Sequence, residues 1–212
     1  MTDFTDSIHP RRRFVGRAAA AIAALTGIPG VLRAGTTADD SKHDAWMQQL
    51  KGKHRQLFHA LDLNDRAMLM ASNYLDAYEN EFAEKRGEAT AVIGVHGGAL
   101  NLAFTDAAWT KYALGKAANF IDPTTKEPAI RNTFATGGEL SVDTLQKRGV
   151  LFLVCNTALR LRSRALAKER GETYEVVYKD LESSRLPGTI LVPALVVAIN
   201  RAQEKGVTYV RV

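Results

Sequence analysis

One cysteine occurs in the chain, Cys155, at the end of the apolar run "GVLFLVCNTALR", and polar residues follow it at once. A thiol placed there can attack or accept sulfur if a helix N-terminus or a nearby cation favours its thiolate. The spacing predicts a helix starting just after Cys155, and Arg160 and Arg162 are close in sequence. The plainer alternative is a small buried hydrophobe, because free cysteine is among the most buried residue types. Two histidines stand in comparable settings. His96 ends the stretch "ATAVIGV" and opens a glycine turn, His96-Gly97-Gly98, where an imidazole can orient a ligand or move a proton near neutral pH. His59 in "HRQLFHALDL" has a simpler reading as a residue on the pleat of an edge strand. Together His59, His96 and Cys155 offer donor types that suit zinc or copper, but only if the three converge. No metal site is assigned on spacing alone, and no resident cofactor is expected. Gly97-Gly98 and Gly137-Gly138 match neither G-x-x-x-x-G-K nor a strand-linked G-x-G-x-x-G, so a nucleotide cofactor is not expected either.

The elements that must position these residues follow from periodicity. "DSKHDAWMQQLKGK" is a short amphipathic segment with Trp46, Met47 and Leu50 on one side. "HRQLFHALDL" is the first strand. In "DRAMLMASNYLDAYENEFAEKRG" apolar residues recur at Met68, Ala71, Leu75, Tyr78 and Phe82, which predicts an amphipathic helix capped at Asn64 or Asp65 and stopped at Gly87. "ATAVIGV" is the second strand and "TDAAWTKYALGKAANF" a second helix. Pro, Thr and Gly mark residues 121–140 as a loop insertion, and "LSVDTLQKRG" is a short helix capped by Ser141. "VLFLVCN" is a nearly continuous apolar strand, the kind buried on both faces of a parallel sheet. "ALRLRSRALAKERG" makes a third major helix, "ETYEVVYKDLESSRLPG" is a mixed stretch, and the chain closes with strand, helix and strand. Alternating strands and helices predict a single α/β domain with helices on both faces of a mostly parallel sheet. Sites in such sheets form at strand C-terminal ends. There stand His59 and Asp62, His96 and Gly97, Cys155 and Asn156, and Pro193 and Ala194.

The 212 residues suffice for one ordinary domain, and 46% hydrophobic with 24% charged residues is a globular composition. A lone cysteine rules out an intramolecular disulfide framework and any multi-thiolate zinc site. Of the formal charge of +5, the first 38 residues supply +3, from five arginines against Asp3 and Asp6, which leaves +2 for the remainder. Those remaining charges read as mixed in sign and spread over solvated helix faces, so no nucleic-acid footprint is expected. "HPRRRFVGRAAAAIAALTGIPGVLRAG" has a basic segment, an apolar stretch from Ala18 to Val31 and small residues beyond, the order of a secretory signal. The arginine pair followed by Arg13, Phe14 and Val15 resembles the twin-arginine leader. Residues 1–38 are therefore expected to be a signal peptide, with cleavage after Ala34 or Ala38. The twin-arginine translocase would be a partner and the periplasm the destination. Residues 39–52 are expected to form an N-terminal arm or helix, and residues 53–212 the domain.

The C-terminal stretch "LPGTILVPALVVAINRAQEKGVTYVRV" resembles the last strand–helix–strand unit of the DsrE-like family of sulfur-relay proteins. "VHGGAL" is similar to that family's His-Gly-x-Ala turn, and "GVLFLVCNTALR" to its Gly-Val-x-Phe-x-x-Cys segment. "ASNYLDAY" is similar to its first helix, with Asn73 where an asparagine often stands. The resemblance covers roughly residues 53–212. It implies a three-layer, flavodoxin-like fold with about five strands and assembly into homo-oligomers. It also implies a cysteine, here Cys155, that carries sulfur as a persulfide between donor and acceptor proteins or small sulfur compounds. His96, Gly97, Asn156, His59 and Pro193 would shape its pocket. Such a chain would be a carrier more than a turnover enzyme. The sequence departs from the family where Asn156-Thr157 come one position early, and where Ala194, Leu195 and Ala198 replace polar residues after Pro193. Those apolar replacements favour the alternative, a non-catalytic oligomeric binding or assembly module, with a metal- or haem-binding variant of it third.

Overall fold

Apolar strands that end in glycine turns and alternate with amphipathic helices can bury themselves only by stacking side by side under the helices. The computed structural model shows that arrangement and describes residues 42–212. The expected signal peptide lies outside the described residues. Strands β1 (His54–Ala60), β2 (Ala89–Val95), β3 (Leu151–Cys155), β4 (Ile190–Val192) and β5 (Thr208–Arg211) form one sheet in the order β4-β3-β2-β1-β5. Every pairing is parallel, so the sheet is wholly rather than mostly parallel. The fold is the expected α/β, flavodoxin-like three-layer architecture with five strands. β2 is buried at all seven positions, as its continuous apolar run requires.

Residues paired in register on parallel strands share a face of the sheet. Arg211, His59, Gly94, Leu153 and Ile190 form one such row. Phe58 and Ile93 point the other way, where helix α1 (Arg66–Asp76) lies and Tyr74 meets the Phe58 ring edge-on at 5.8 Å. The connections from β1 through β4 step across the sheet in one direction, and the last one steps back past β1 to β5. Crossovers of this kind are right-handed, so the reversed step must carry its helix over the opposite face. That helix is α7 (Leu195–Glu204), and its Leu195 side chain does sit against Gly94. The loops after the adjacent strands β3 and β4 thus leave toward opposite faces. This is the topological switch point, where open α/β sheets form their crevice.

Several elements differ from expectation for local reasons. Helix α1 is regular only to Asp76, and a π turn over Ala77–Glu81 then shifts its phase. Ala83 takes a left-handed conformation (φ 53°), so the helix stops short of Gly87 and Phe82 is 71% exposed rather than on the apolar face. The single helix expected next is two, α2 (Asp106–Lys111) and α3 (Leu114–Ala117), divided at a left-handed Ala113. Gly115 there lies so close to the 121–140 loop that a Cβ would stand 2.0 Å from the Ala129 carbonyl oxygen. The loop is ordered by Asp122, which accepts the Thr124 and Thr125 N–H groups, and by Asn132, which donates to the Leu102 and Phe104 carbonyls. Helix α4 (Val142–Lys147) follows Ser141, and α5 (Asn156–Arg170) closes at a left-handed Gly171. The stretch expected to be mixed holds a full helix, α6 (Tyr174–Ser183), because Val177 and Leu181 fall one turn apart and bury together. The N-terminal arm is a 3-10 turn, Ala45–Gln49, with Trp46 buried and Asp44 accepting from Arg201 Nε of α7 at 2.8 Å. No helix among the described residues is long and apolar enough to cross a membrane.

Candidate functional site

Cys155 is the last residue of β3 and the residue preceding α5, so its sulfur is delivered to the switch point by the strand itself. It pairs in register with Val192 of β4, beyond which the chain turns through Pro193 and Ala194 into α7. The Leu195 N–H donates to Cys155 Sγ at 3.4 Å. The sulfur therefore stands at the N-terminal end of α7, where an N–H group and the aligned peptide dipoles favour negative charge, while its own residue precedes α5 without a side-chain bond to that helix's N–H groups. It is nevertheless covered, for Cys155 is only 3% exposed.

The Pro193–Leu195 turn lies beside the sulfur, which accepts from its Leu195 N–H. Leu195 fits over Gly94 because that position has no side chain, and a Cβ there would stand 2.7 Å from Leu195 Cδ1. Thr157 Oγ1 donates to the Pro193 carbonyl at 3.1 Å and ties the turn to α5. Pro193 itself is exposed and borders a cavity of about 220 Å³ with His43, Trp46, Ala194 and Arg201.

His96 continues β2 in extended geometry, one position beyond the Val95–Val154 pair, which places it level with Cys155 on the neighbouring strand. Its N–H donates to the Ala60 carbonyl at 3.1 Å. Gly97 turns the chain immediately afterwards with φ +60°, so this position favours glycine. His59 lies on the same face. It belongs to β1, between β2 and β5, which corrects its expected placement on an edge strand. Its Nδ1 is 3.1 Å from the Tyr209 hydroxyl, its ring is 6.0 Å from that of His96, and its Nε2 is buried without a partner among the described residues. Burial lowers the His59 pKa, and the neighbouring His96 and Arg211 lower it further.

Asn156 is engaged elsewhere: its Oδ1 accepts from the Tyr178 hydroxyl at 2.9 Å, toward α6. Asp62 is exposed on the loop after β1. Among the described residues no group of three or more His, Cys, Asp or Glu could hold a metal ion, so His59, His96 and Cys155 share a rim without forming a ligand set.

Three features of this region had no counterpart in the sequence reading. Leu195 packs over Gly94, and a glycine inside a strand pattern is the signal that a close approach was coming. A cavity of about 420 Å³ opens between the loop after β1 and the 121–140 loop, with Phe120, Phe134 and Leu140 on its walls and Asn64 and Asp65 at its edge. The charges are also less evenly spread than expected, because α5 gathers five cations against Glu169 alone.

No protein-family model matches the chain, and no curated relative matches it. A solved structure similar to it is that of a protein of unknown function, MTH1491, from Methanobacterium thermoautotrophicum. The two are 19% identical, the match covers 76% of this chain and 100% of that one, and the TM-score is 0.43.

Proposed function

We propose that this chain is an exported, thiol-based sulfur carrier of the periplasm, in which Cys155 accepts one sulfur atom as a persulfide and hands it to a second thiol. The observation that carries the reading is the position of Sγ, at the switch point, between the start of α5 and the Leu195 N–H, with His96 level with it. In the loading step the Cys155 thiolate attacks the outer sulfur of a persulfide donor, R–S–SH. The new S–S bond forms on Cys155, the donor's S–S bond breaks, and R–S⁻ leaves with the electron pair, so there is no net oxidation. Unloading is the same exchange run toward an acceptor thiolate. His96 is the nearest imidazole in register to hold the proton that the two thiols exchange. A sulfur only 3% exposed requires the Pro193–Leu195 turn to lift before either exchange.

Intact-mass measurement after incubation with a persulfide donor tests this directly. Wild type is expected to gain one sulfur atom and Cys155→Ser none. A wild type that gains nothing, or equal gain by both, overturns the proposal.

The burial of Cys155 favours a second reading, an oligomeric binding or assembly module that keeps the fold without the chemistry. Val196 and Val197 on α7 and Tyr209 on β5 leave apolar surface exposed on the thinner face of the sheet, as an interface between copies would. Under that reading native Cys155 resists thiol reagents and takes up no sulfur.

A further inference from the structure

Residues 42–212 contain 23 Lys and Arg against 19 Asp and Glu, a net +4. Helix α5 alone has Arg160, Arg162, Arg164, Lys168 and Arg170 against Glu169, also a net +4. The rest of the described chain is therefore neutral in sum, and its whole excess of positive charge sits on the helix that begins after Cys155. Arg160, Arg164 and Lys168 fall at i, i+4 and i+8 and are all exposed, so they form one stripe. No carboxylate among the described residues pairs with any of them. Arg164 only lies over the Tyr174 ring, 5.1 Å from its centroid, whereas Arg170 is held by Glu172. Like charges one turn apart destabilise a helix, so the stripe works against the element that bears it.

Its shape narrows the partner. The three charges span about 12 Å at 1.5 Å per residue, too long for one small anion. Leu161 is 58% exposed and lies one turn from Arg164 and Ala165, so apolar contact accompanies the charge. A phosphodiester backbone has no use for such a contact. The stripe is also one helix wide, because the neighbouring α6 carries Glu175, Asp180 and Glu182 against Lys179. A carboxylate-bearing helix or edge of a protein fits this surface better than a nucleic acid does. The stripe starts at the rim of the switch point, with Arg160 about 7 Å along the helix axis from Cys155.

We infer that the exposed face of α5 is the docking surface for an acidic protein that exchanges sulfur with Cys155; the word "sulfur" in that statement rests on the carrier reading above, the docking surface does not. The test uses the full chain carrying Cys155→Ser, so that binding is read without sulfur chemistry. The probe is a fluorescein-labelled helical peptide with glutamates at i, i+4 and i+8 and a leucine beside them. Its glutamine analogue and a single-stranded oligonucleotide of similar charge serve for comparison.

The glutamate peptide is expected to bind, to weaken as salt rises, and to outcompete both the glutamine analogue and the oligonucleotide. Arg160→Glu/Arg164→Glu/Lys168→Glu is expected to weaken it roughly tenfold or more. The control Lys85→Glu/Lys116→Glu/Lys205→Glu, with the same charge change on other exposed sites, is expected to stay within about twofold of the parent, since the charges are remote and screened. Equal loss in both triple variants, no loss in the α5 variant, or no salt-dependent binding at all overturns the inference. Tighter binding of the oligonucleotide assigns the stripe to nucleic acid and overturns it too. If the peptide binds as expected while wild type takes up no sulfur, the docking surface stands and the carrier reading fails.

Discussion

Replacing Leu195 by alanine should uncover Cys155 without removing any polar partner of its sulfur. Leu195 is 1% exposed, and its side-chain carbons would lie 2.7 to 3.3 Å from a Cβ at Gly94. Truncation leaves a gap that Gly94 has no side chain to fill, so the cost should fall near the middle of the Leu→Ala range, about 3.5 kcal/mol. If the turn opens locally, that loss belongs to the closed state, and each 1.4 kcal/mol is a factor of ten in the open population. Native-state alkylation of Cys155, followed by intact mass at fixed pH, should therefore accelerate by roughly 300-fold. Leu195→Met conserves volume and should cost less than about 1.5 kcal/mol, so its rate should change much less. Urea decides whether the opening is local. A local opening exposes little surface, and the alkylation rate should hardly depend on urea below the unfolding transition. The reasoning fails if Leu195→Ala loses stability as expected while alkylation rises less than about threefold. It fails equally if the rate follows urea with the full slope of global unfolding, since the thiol is then reached only through the unfolded chain.

Three further outcomes follow from single residues. Asn101 is 0% exposed and both of its side-chain amide atoms lack partners among the described residues; Asn101→Leu should raise the urea midpoint, by about 1–3 kcal/mol in stability, and a lower midpoint would show that the amide is satisfied. His59 has a lowered pKa in the fold, so the unfolded chain binds its proton first, near 6.5. The stability due to neutral His59 is present above that value and is lost as pH falls through it toward the folded-state pKa. His59→Gln should thus lose less stability than wild type between about pH 7.5 and 5, and identical pH slopes would sink the argument. Val197→Glu on the exposed face of α7 should reduce the mass seen in sedimentation if that face joins copies of the chain, and an unchanged mass removes the face as an interface.

Strand identity and order of elements were legible because burial on both faces forces continuous apolar runs, and "ATAVIGV" and "VLFLVC" carry no competing pattern. Cys155 could be assigned to a strand end for the same reason. What was illegible depended on contacts between distant positions. Leu195 looks like any core leucine until Gly94, far away in sequence, removes the side chain beneath it. Asn156 could have faced the sulfur or α6, and only the position of Tyr178 decides. Phe82 matched the helical period, but a π turn, which leaves no mark in composition, rotated it into solvent. The cation stripe was hidden by averaging, since charges of opposite sign elsewhere cancel one another and only the placement of α5 shows where the excess remains.

The two helices next to Cys155 would not respond alike if the Pro193–Leu195 turn lifted as proposed. Under the carrier proposal the Leu195 N–H belongs to the segment that lifts, and the hydrogen bond it gives Sγ would be lost when the sulfur became reachable. The start of α5 cannot leave, because Cys155 is covalently its preceding residue. An exposed thiolate or persulfide would therefore keep His96, the imidazole level with it, as its neighbour. In the structure as it stands Sγ accepts from the Leu195 N–H, and Cys155, the one cysteine of the chain, is buried. Leu195, one of the residues that make this loop more apolar than the resemblance implies, is what packs over Gly94. Apolar residues here are thus compatible with a working thiol that is shielded at rest. The measurable difference between that state and a purely structural cysteine is the local opening read by alkylation of wild type and Leu195→Ala.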